Sequence, residues 1–273
     1  MVTETENSKS ERSFAAKRSR VSMLLLDSME GLGNFWLFTM QFFKQLFNFP
    51  FERKEFIRQA YQIGNRSLML VLTTGFIMGV VLTIQSRPTL EDFGAESWLP
   101  SMVAVSIIRE IGPVITAIIC AGKIGSGIGA ELGSMRVTEQ IDAMEVSGAN
   151  PYKYLVVTRV MATTIMLPIL VLFADFIGLI GSYLGVNIEG DVSFVLFMSS
   201  AMGAVEFSDL FPALIKSVVF GFVIGIIGCY KGYTASRGTE SVGKAANEAV
   251  VAASLMVFVV DVIVVQITAL VIS

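Results

Sequence analysis

The sequence predicts an all-α polytopic membrane protein, with about five transmembrane helices, an N-terminal interfacial helix and a short cytoplasmic helix. Three observations predict it. Of 273 residues, 53% are hydrophobic and only 16% are charged, against roughly 25% charged in a soluble domain. Mean hydropathy is +0.68. The charge is also segregated, with ten of the 20 basic residues between Lys9 and Arg66. The same composition excludes several chemistries. A formal charge of -3 and so much apolar bulk leave no basic face for nucleic acid. Without His there can be no His-based triad and no His-rich metal site. Cys120 and Cys229, at the ends of apolar runs, are too few for a disulfide scaffold or a four-Cys zinc site. They read as small buried hydrophobes, and no cofactor is expected.

Residues 1–20 are polar and mixed in charge, with little to bury, and read as a disordered cytoplasmic tail. Lys17, Arg18 and Arg20 followed by Val21 to Leu26 imitate a signal peptide. The apolar run is too short and no small-residue cleavage site follows, so cleavage is not expected. Leu32 to Phe49 is rich in aromatics, with Gln41, Lys44, Gln45 and Asn48 along one helical face. Such a helix lies in the membrane interface, although a distorted span is the alternative. Arg53, Lys54, Arg58 and Arg66 then suit anionic headgroups.

Five segments meet or approach the roughly 20 apolar residues that a bilayer core requires. They are Leu68 to Gln85, Ser101 to Gly122, Val160 to Leu184, Phe211 to Tyr230 and Ala249 to Ile272. Lys216 in the fourth is read as a snorkelling side chain. Val192 to Ala204 is too short to span and reads as interfacial or re-entrant. Basic residues concentrate before the first span, from Lys123 to Arg159 and from Lys231 to Lys244, so the positive-inside rule puts the N-terminus in the cytoplasm. No internal repeat divides the spans into halves, unlike the commonest secondary-transporter plans.

Arg109 and Glu110 lie about 12–14 Å into the second span, near the midplane of a core about 30 Å thick. Pro113 cannot donate to the Arg109 carbonyl, so a distortion is expected there. Asp175 in the third span and Asp261 in the fifth are further intramembrane carboxylates. Such groups are costly and must be paired, structural or part of a path through the membrane. Next comes a glycine-dense stretch without the Gly-Lys-Ser/Thr of a phosphate-binding loop. Its Gly125, Gly129 and Gly133 have the spacing that lets helices approach closely. Val137 to Ser147 reads as a short two-faced helix. Val137, Ile141 and Met144 lie on one side and Glu139, Asp142 and Glu145 on the other, with Gly148 and Asn150-Pro151 as the stop. The acidic face is either simply solvated or a docking surface for a soluble motor.

The run Arg109-Glu-Ile-Gly-Pro-Val, followed by Ala121-Gly-Lys-Ile-Gly-Ser-Gly-Ile-Gly-Ala-Glu-Leu-Gly-Ser-Met-Arg-Val-Thr-Glu-Gln-Ile-Asp-Ala-Met-Glu-Val, resembles the MlaE/YrbE permease family. Pro151-Tyr-Lys-Tyr-Leu-Val with Arg159, Leu214-Ile-Lys-Ser-Val-Val-Phe-Gly, and Cys229-Tyr-Lys-Gly-Tyr with Gly243-Lys-Ala support the resemblance, which covers roughly residues 50 to 273. The tail before Val21 has no counterpart in the family core. The resemblance implies a non-catalytic permease subunit that moves phospholipid or a similar lipid between the inner and outer membranes of a diderm bacterium. It implies a homodimer in the inner membrane, a separate ABC ATPase and a periplasmic MCE-domain protein. Glu139, Gln140, Asp142 and Glu145 then fall on an ATPase-coupling helix. Leu72, Phe76, Met78 and Val80, with Leu255, Met256 and Val259, become candidates for lining a lipid cavity at the dimer interface. Residues 1–20, 21–66 and 67–273 are expected to be tail, interfacial amphipathic region and permease domain. The alternative is an ion-coupled secondary transporter of a hydrophobic substrate working through Arg109, Glu110, Asp175 and Asp261.

Overall fold

The computed structural model describes residues 29–48, 51–188 and 190–272, and every regular element among them is helical. The expected tail at 1–20 and the run Val21 to Leu26 lie outside the described residues. The chain divides into two units, Met1–Asn48 and Phe49–Ser273. In the first, the aromatic segment forms helix α1 over 29–46, with Trp36 and Leu37 exposed.

The second unit is an all-α polytopic membrane bundle with five helices long and apolar enough to span a bilayer. These are α2 (Arg53–Asp92), α3 (Glu96–Val137), α5 (Tyr152–Val186), α7 (Phe207–Tyr233) and α8 (Thr239–Ile272). Two short helices complete it, α4 (Gln140–Val146) and α6 (Phe194–Ala204). At 40 residues, α2 is about 60 Å long, twice the thickness of a hydrocarbon core. The junction expected between residues 66 and 67 falls inside this helix. No proline interrupts Arg53 to Ser67, and Gly64 is backed by Met166 of α5, so nothing stops the helix there.

α2 lies along α5, α5 along α7 and α7 along α8, while α3 crosses this row and touches each member. Small residues set these approaches. Gly75, Gly79 and Thr83 of α2, spaced by four, meet α5: Gly75 at Ala174, Gly79 at Gly178 and Ser182, and Thr83 at Gly185. A Cβ on Gly79 would stand 2.8 Å from the Gly178 carbonyl carbon and 3.0 Å from the Ser182 nitrogen. The Ser182 hydroxyl donates to the Gly79 carbonyl at 3.2 Å, across the contact. Gly129 of α3 lies against α8, where a Cβ would be 3.1 Å from the Ala245 carbonyl oxygen and 3.2 Å from Ala249. Close packing was the expectation for Gly125, Gly129 and Gly133, and α8 is the partner. The α2–α5 contact was not read from the sequence.

α3 contains two wide turns, Ile107–Ile111 and Ala121–Gly125. Pro113 explains the first. It lacks the N–H that would close an ordinary turn on Arg109, so the helix widens just before it and resumes at Gly112. α6 is capped by Ser193, whose hydroxyl accepts from the Leu196 N–H at 3.3 Å. Its Phe197 and Ala201 pack with Leu99, Val103 and Ile107 of α3 and Leu179 and Val186 of α5. α6 therefore closes one end of the bundle and α4 stands at the other, where Ile141 is fully buried.

Candidate functional site

Arg109 and Glu110 sit within the first wide turn of α3, and their side chains reach two different points along α7. Arg109 reaches Asp209 at the start of α7, at 3.7 Å. Asp209 also accepts the Glu206 N–H at 3.2 Å, so one carboxylate caps α7 and balances a cation of α3. Glu110 pairs with Lys216 of α7, and the Lys216 ammonium stands 2.7 Å from Asp261 of α8. The Asp261 Oδ1 lies off the line of a hydrogen bond, so that attraction is charge against charge. Lys216 is 3% exposed, Asp261 19% and Glu110 42%.

The snorkelling expected of Lys216 does not occur. The side chain is turned into the bundle because two carboxylates from neighbouring helices are there to receive it. An ammonium taken out of water is costly unless paired, and here it has two partners. Lys216 and Asp209 are the residues that sequence reasoning missed. The available signal was a lysine one-third of the way along an apolar run, with two unpaired acids at comparable depth on other spans. Beside this network a cleft of about 210 Å³ is lined by Arg109, Glu110, Pro212, Lys216, Val265 and Thr268. That is smaller than the roughly 300–1,000 Å³ of a drug-sized ligand pocket.

The third intramembrane acid stands apart. Asp175 of α5 is buried against Gly112 of α3, and its Oδ1 has no hydrogen-bond partner among the described residues. Arg109, Glu110 and Asp261 are thus brought together, and Asp175 is not.

The cavity candidates fall on the two spans with the least burial in the subunit. The most apolar stretch of α8 is 11% buried and that of α2 22%, against 56% for α7. Leu255, Met256 and Val259 are exposed, and Leu72, Phe76 and Val80 are half-buried. Met78 also lines a cavity of about 20 Å³ inside the subunit, between α2, α3 and Ala174 of α5.

At the α4 end, Glu139 adopts a left-handed backbone, φ 58°, and caps α4 rather than lying on its face. The expected row Glu139, Asp142, Glu145 is therefore broken at its first member. Asp142 is ion-paired with Arg136 of α3, while Glu139 (3.8 Å from Arg237), Gln140 and Glu145 are exposed. Nearby, Arg159 is 1% exposed and pairs with Glu131 at 2.8 Å. Glu55, also buried, accepts from Gln59 at 2.7 Å and from the Tyr154 hydroxyl at 3.1 Å.

Comparison with known proteins agrees with this architecture. A family model described as Permease MlaE matches residues 56–267. A "Probable ABC transporter permease protein" of Rickettsia felis is 39% identical over 230 residues, covering 84% of this chain and 89% of that protein. The "Intermembrane phospholipid transport system permease protein MlaE" of Haemophilus influenzae is 35% identical, covering 80% and 85%. "Protein TRIGALACTOSYLDIACYLGLYCEROL 1, chloroplastic" of Arabidopsis thaliana is 36% identical, covering 75% of this chain and 59% of its own length. With five spanning helices and a match over most of its length, the chain belongs to the MlaE permease family, as a membrane transporter subunit.

Proposed function

We propose that this chain is the inner-membrane subunit of an ATP-driven transporter that moves phospholipid, or a similar hydrophobic lipid, between the inner and outer membranes of a diderm bacterium. The observation that carries this reading is the Glu110–Lys216–Asp261 network, set in an apolar bundle beside a headgroup-sized cleft. A lipid path needs apolar walls for the tails and a few fixed polar groups for the headgroup. The name of the Haemophilus influenzae relative, an intermembrane phospholipid transport permease, supports the substrate class.

A second copy of the chain covers the apolar outer faces of α2 and α8, and the lipid cavity lies between the copies. Leu72, Phe76, Val80, Leu255, Met256 and Val259 form its wall, with Met78 behind it. A separate ABC ATPase docks at the α4 end, using the exposed Glu139, Gln140 and Glu145 with Asp142 holding α4 to α3. An MCE-domain protein exchanges lipid at the opposite end, and the N-terminus is cytoplasmic.

The test is a reconstitution with the ATPase in phospholipid vesicles, with photo-crosslinkers at Phe76 and Met256 and a control at Phe173, exposed on α5. The two cavity positions should capture phospholipid more efficiently than the control, and ATP should lower their yield. Equal capture everywhere, insensitive to ATP, refutes the cavity. Lipid movement driven by an ion gradient without the ATPase would establish the ion-coupled alternative instead.

A further inference from the structure

A second polar cleft lies at the α4 end of the bundle, away from the Glu110–Lys216–Asp261 network. It encloses about 370 Å³ between α2 and α3, and its polar lining includes Gln59, Gln62, Arg66, Ser67, Lys123 and Ser126. Arg66 and Ser67 immediately precede the apolar run that starts at Leu68, and Lys123 immediately follows the one that ends at Gly122. The two cations therefore mark one boundary, where the apolar surface of the bundle turns polar. That is the level of lipid headgroups.

Three features make this a built site. Arg66 and Lys123 are exposed and have no ion-pair partner among the described residues. Glu131, an acid on the rim, is drawn to Arg159 at 2.8 Å, and the Gln59 amide is bound to Glu55, so neither neutralises the pair. Ser67 is 1% exposed and its hydroxyl has no hydrogen-bond partner. Hydroxyls on membrane helices usually bond the carbonyl four residues back. In the same helix Thr73, Thr74 and Thr83 all do so, at 2.8 to 2.9 Å, but Ser67 does not. A buried donor left unpaired is costly, and a turn about the Ser67 Cα–Cβ bond would bring it to a ligand oxygen in the cleft that Ser67 lines.

We propose that this cleft binds the phosphodiester headgroup of an anionic lipid in the leaflet at the α4 end. Arg66 and Lys123 balance its charge, and the Ser67 hydroxyl donates to a phosphate oxygen. Met69 and Leu70, the next residues of α2 beyond Leu68, are exposed and apolar. They provide a surface for the acyl chains that a free phosphate would not use. The proposal concerns equilibrium binding and stands apart from the transport reading.

The test measures lipid retained by the purified full chain, without the ATPase, by native mass spectrometry in detergent with phosphatidylglycerol or phosphatidylcholine added. Phosphatidylglycerol should be favoured. Arg66→Gln and Lys123→Gln should each cut its retention about fivefold, and the pair roughly 25-fold. Arg66→Lys should preserve most of it. The two cations are exposed, and a thermal unfolding scan of each variant confirms folding. No preference for phosphatidylglycerol, or unchanged retention in the folded double variant, overturns the proposal. So does loss of the lipid in Lys216→Gln with retention in the double variant, since the lipid would then sit at the other network. Displacement by excess inorganic phosphate would make this a soluble-phosphate site and overturn it as well.

Discussion

Replacing Lys216 by Met keeps the length and apolar stem of the side chain but removes the charge between Glu110 and Asp261. Two interhelical contacts are lost at once, α3–α7 and α7–α8. Polar contacts between membrane helices are each worth about 0.6 kcal/mol on average and up to about 1.7, which gives roughly 1–3 kcal/mol. Rupture of a fully buried ion pair costs about 3–5 kcal/mol, because the remaining charge stays uncompensated. That upper figure applies only in part. Asp261 is 19% exposed, but Glu110 at 42% is screened by its surroundings. Lys216→Met should therefore destabilise the bundle by about 2–3 kcal/mol, roughly 30- to 150-fold in the unfolding equilibrium. The assay is reversible unfolding of the detergent-solubilised chain by titration with a denaturing detergent. A triple variant, Glu110→Gln with Lys216→Met and Asp261→Asn, carries no stranded charge and should recover more than half of the loss. A single variant within about 0.5 kcal/mol of the parent refutes this account, as does a triple variant less stable than the single one.

Gly79→Ala should push α2 from α5 and cost about 1–3 kcal/mol in the same assay, because its Cβ meets Gly178 and Ser182 backbone rather than a movable side chain. Gly122→Ala, where a Cβ has nothing within 4 Å, should instead be neutral or stabilising by up to about 1 kcal/mol through helix propensity. Gly129→Leu should separate α3 from α8 and abolish the folded monodisperse species seen by size-exclusion chromatography. Glu139→Lys with Glu145→Lys should release the ATPase while the permease remains inserted, read as loss of co-purification. Asp142→Asn should weaken that association less, acting only through the loosened Arg136 contact.

Much of the architecture was legible because it follows from local chain properties. Apolar run length against bilayer thickness located all five spans, and Val192 to Ala204 was too short for a span and became α6. Gly125, Gly129 and Gly133 announced a close contact through their spacing alone. The short helix expected over Val137 to Ser147 was visible in its two faces and its Gly148 stop, but it spans Gln140–Val146, and Val137 ends α3. Glu139 was misplaced onto its acidic face because periodicity cannot foresee a left-handed residue at a helix start. The boundary placed at residue 66 marked a change of composition. A helix continues across such a change when no residue breaks its hydrogen-bond ladder.

The sequence by itself determined that this is a five-span membrane protein of the MlaE family, with charged residues at depth in the second, third and fifth spans. Hydropathy, glycine spacing and proline are written into the chain one residue at a time, so they can be read without coordinates. Partnership cannot. Glu110, Lys216 and Asp261 are separated by 106 and 45 residues, and only the crossing of α3 over α7 and α8 brings them to one point. The packing of α5 on α3 sets Asp175 against Gly112 instead, with its Oδ1 unpartnered among the described residues. A charge in an apolar segment takes its role from whichever opposite charge shares its depth and faces it. Depth can be counted along a helix, but facing is fixed by how the helices rotate as their small residues lock together.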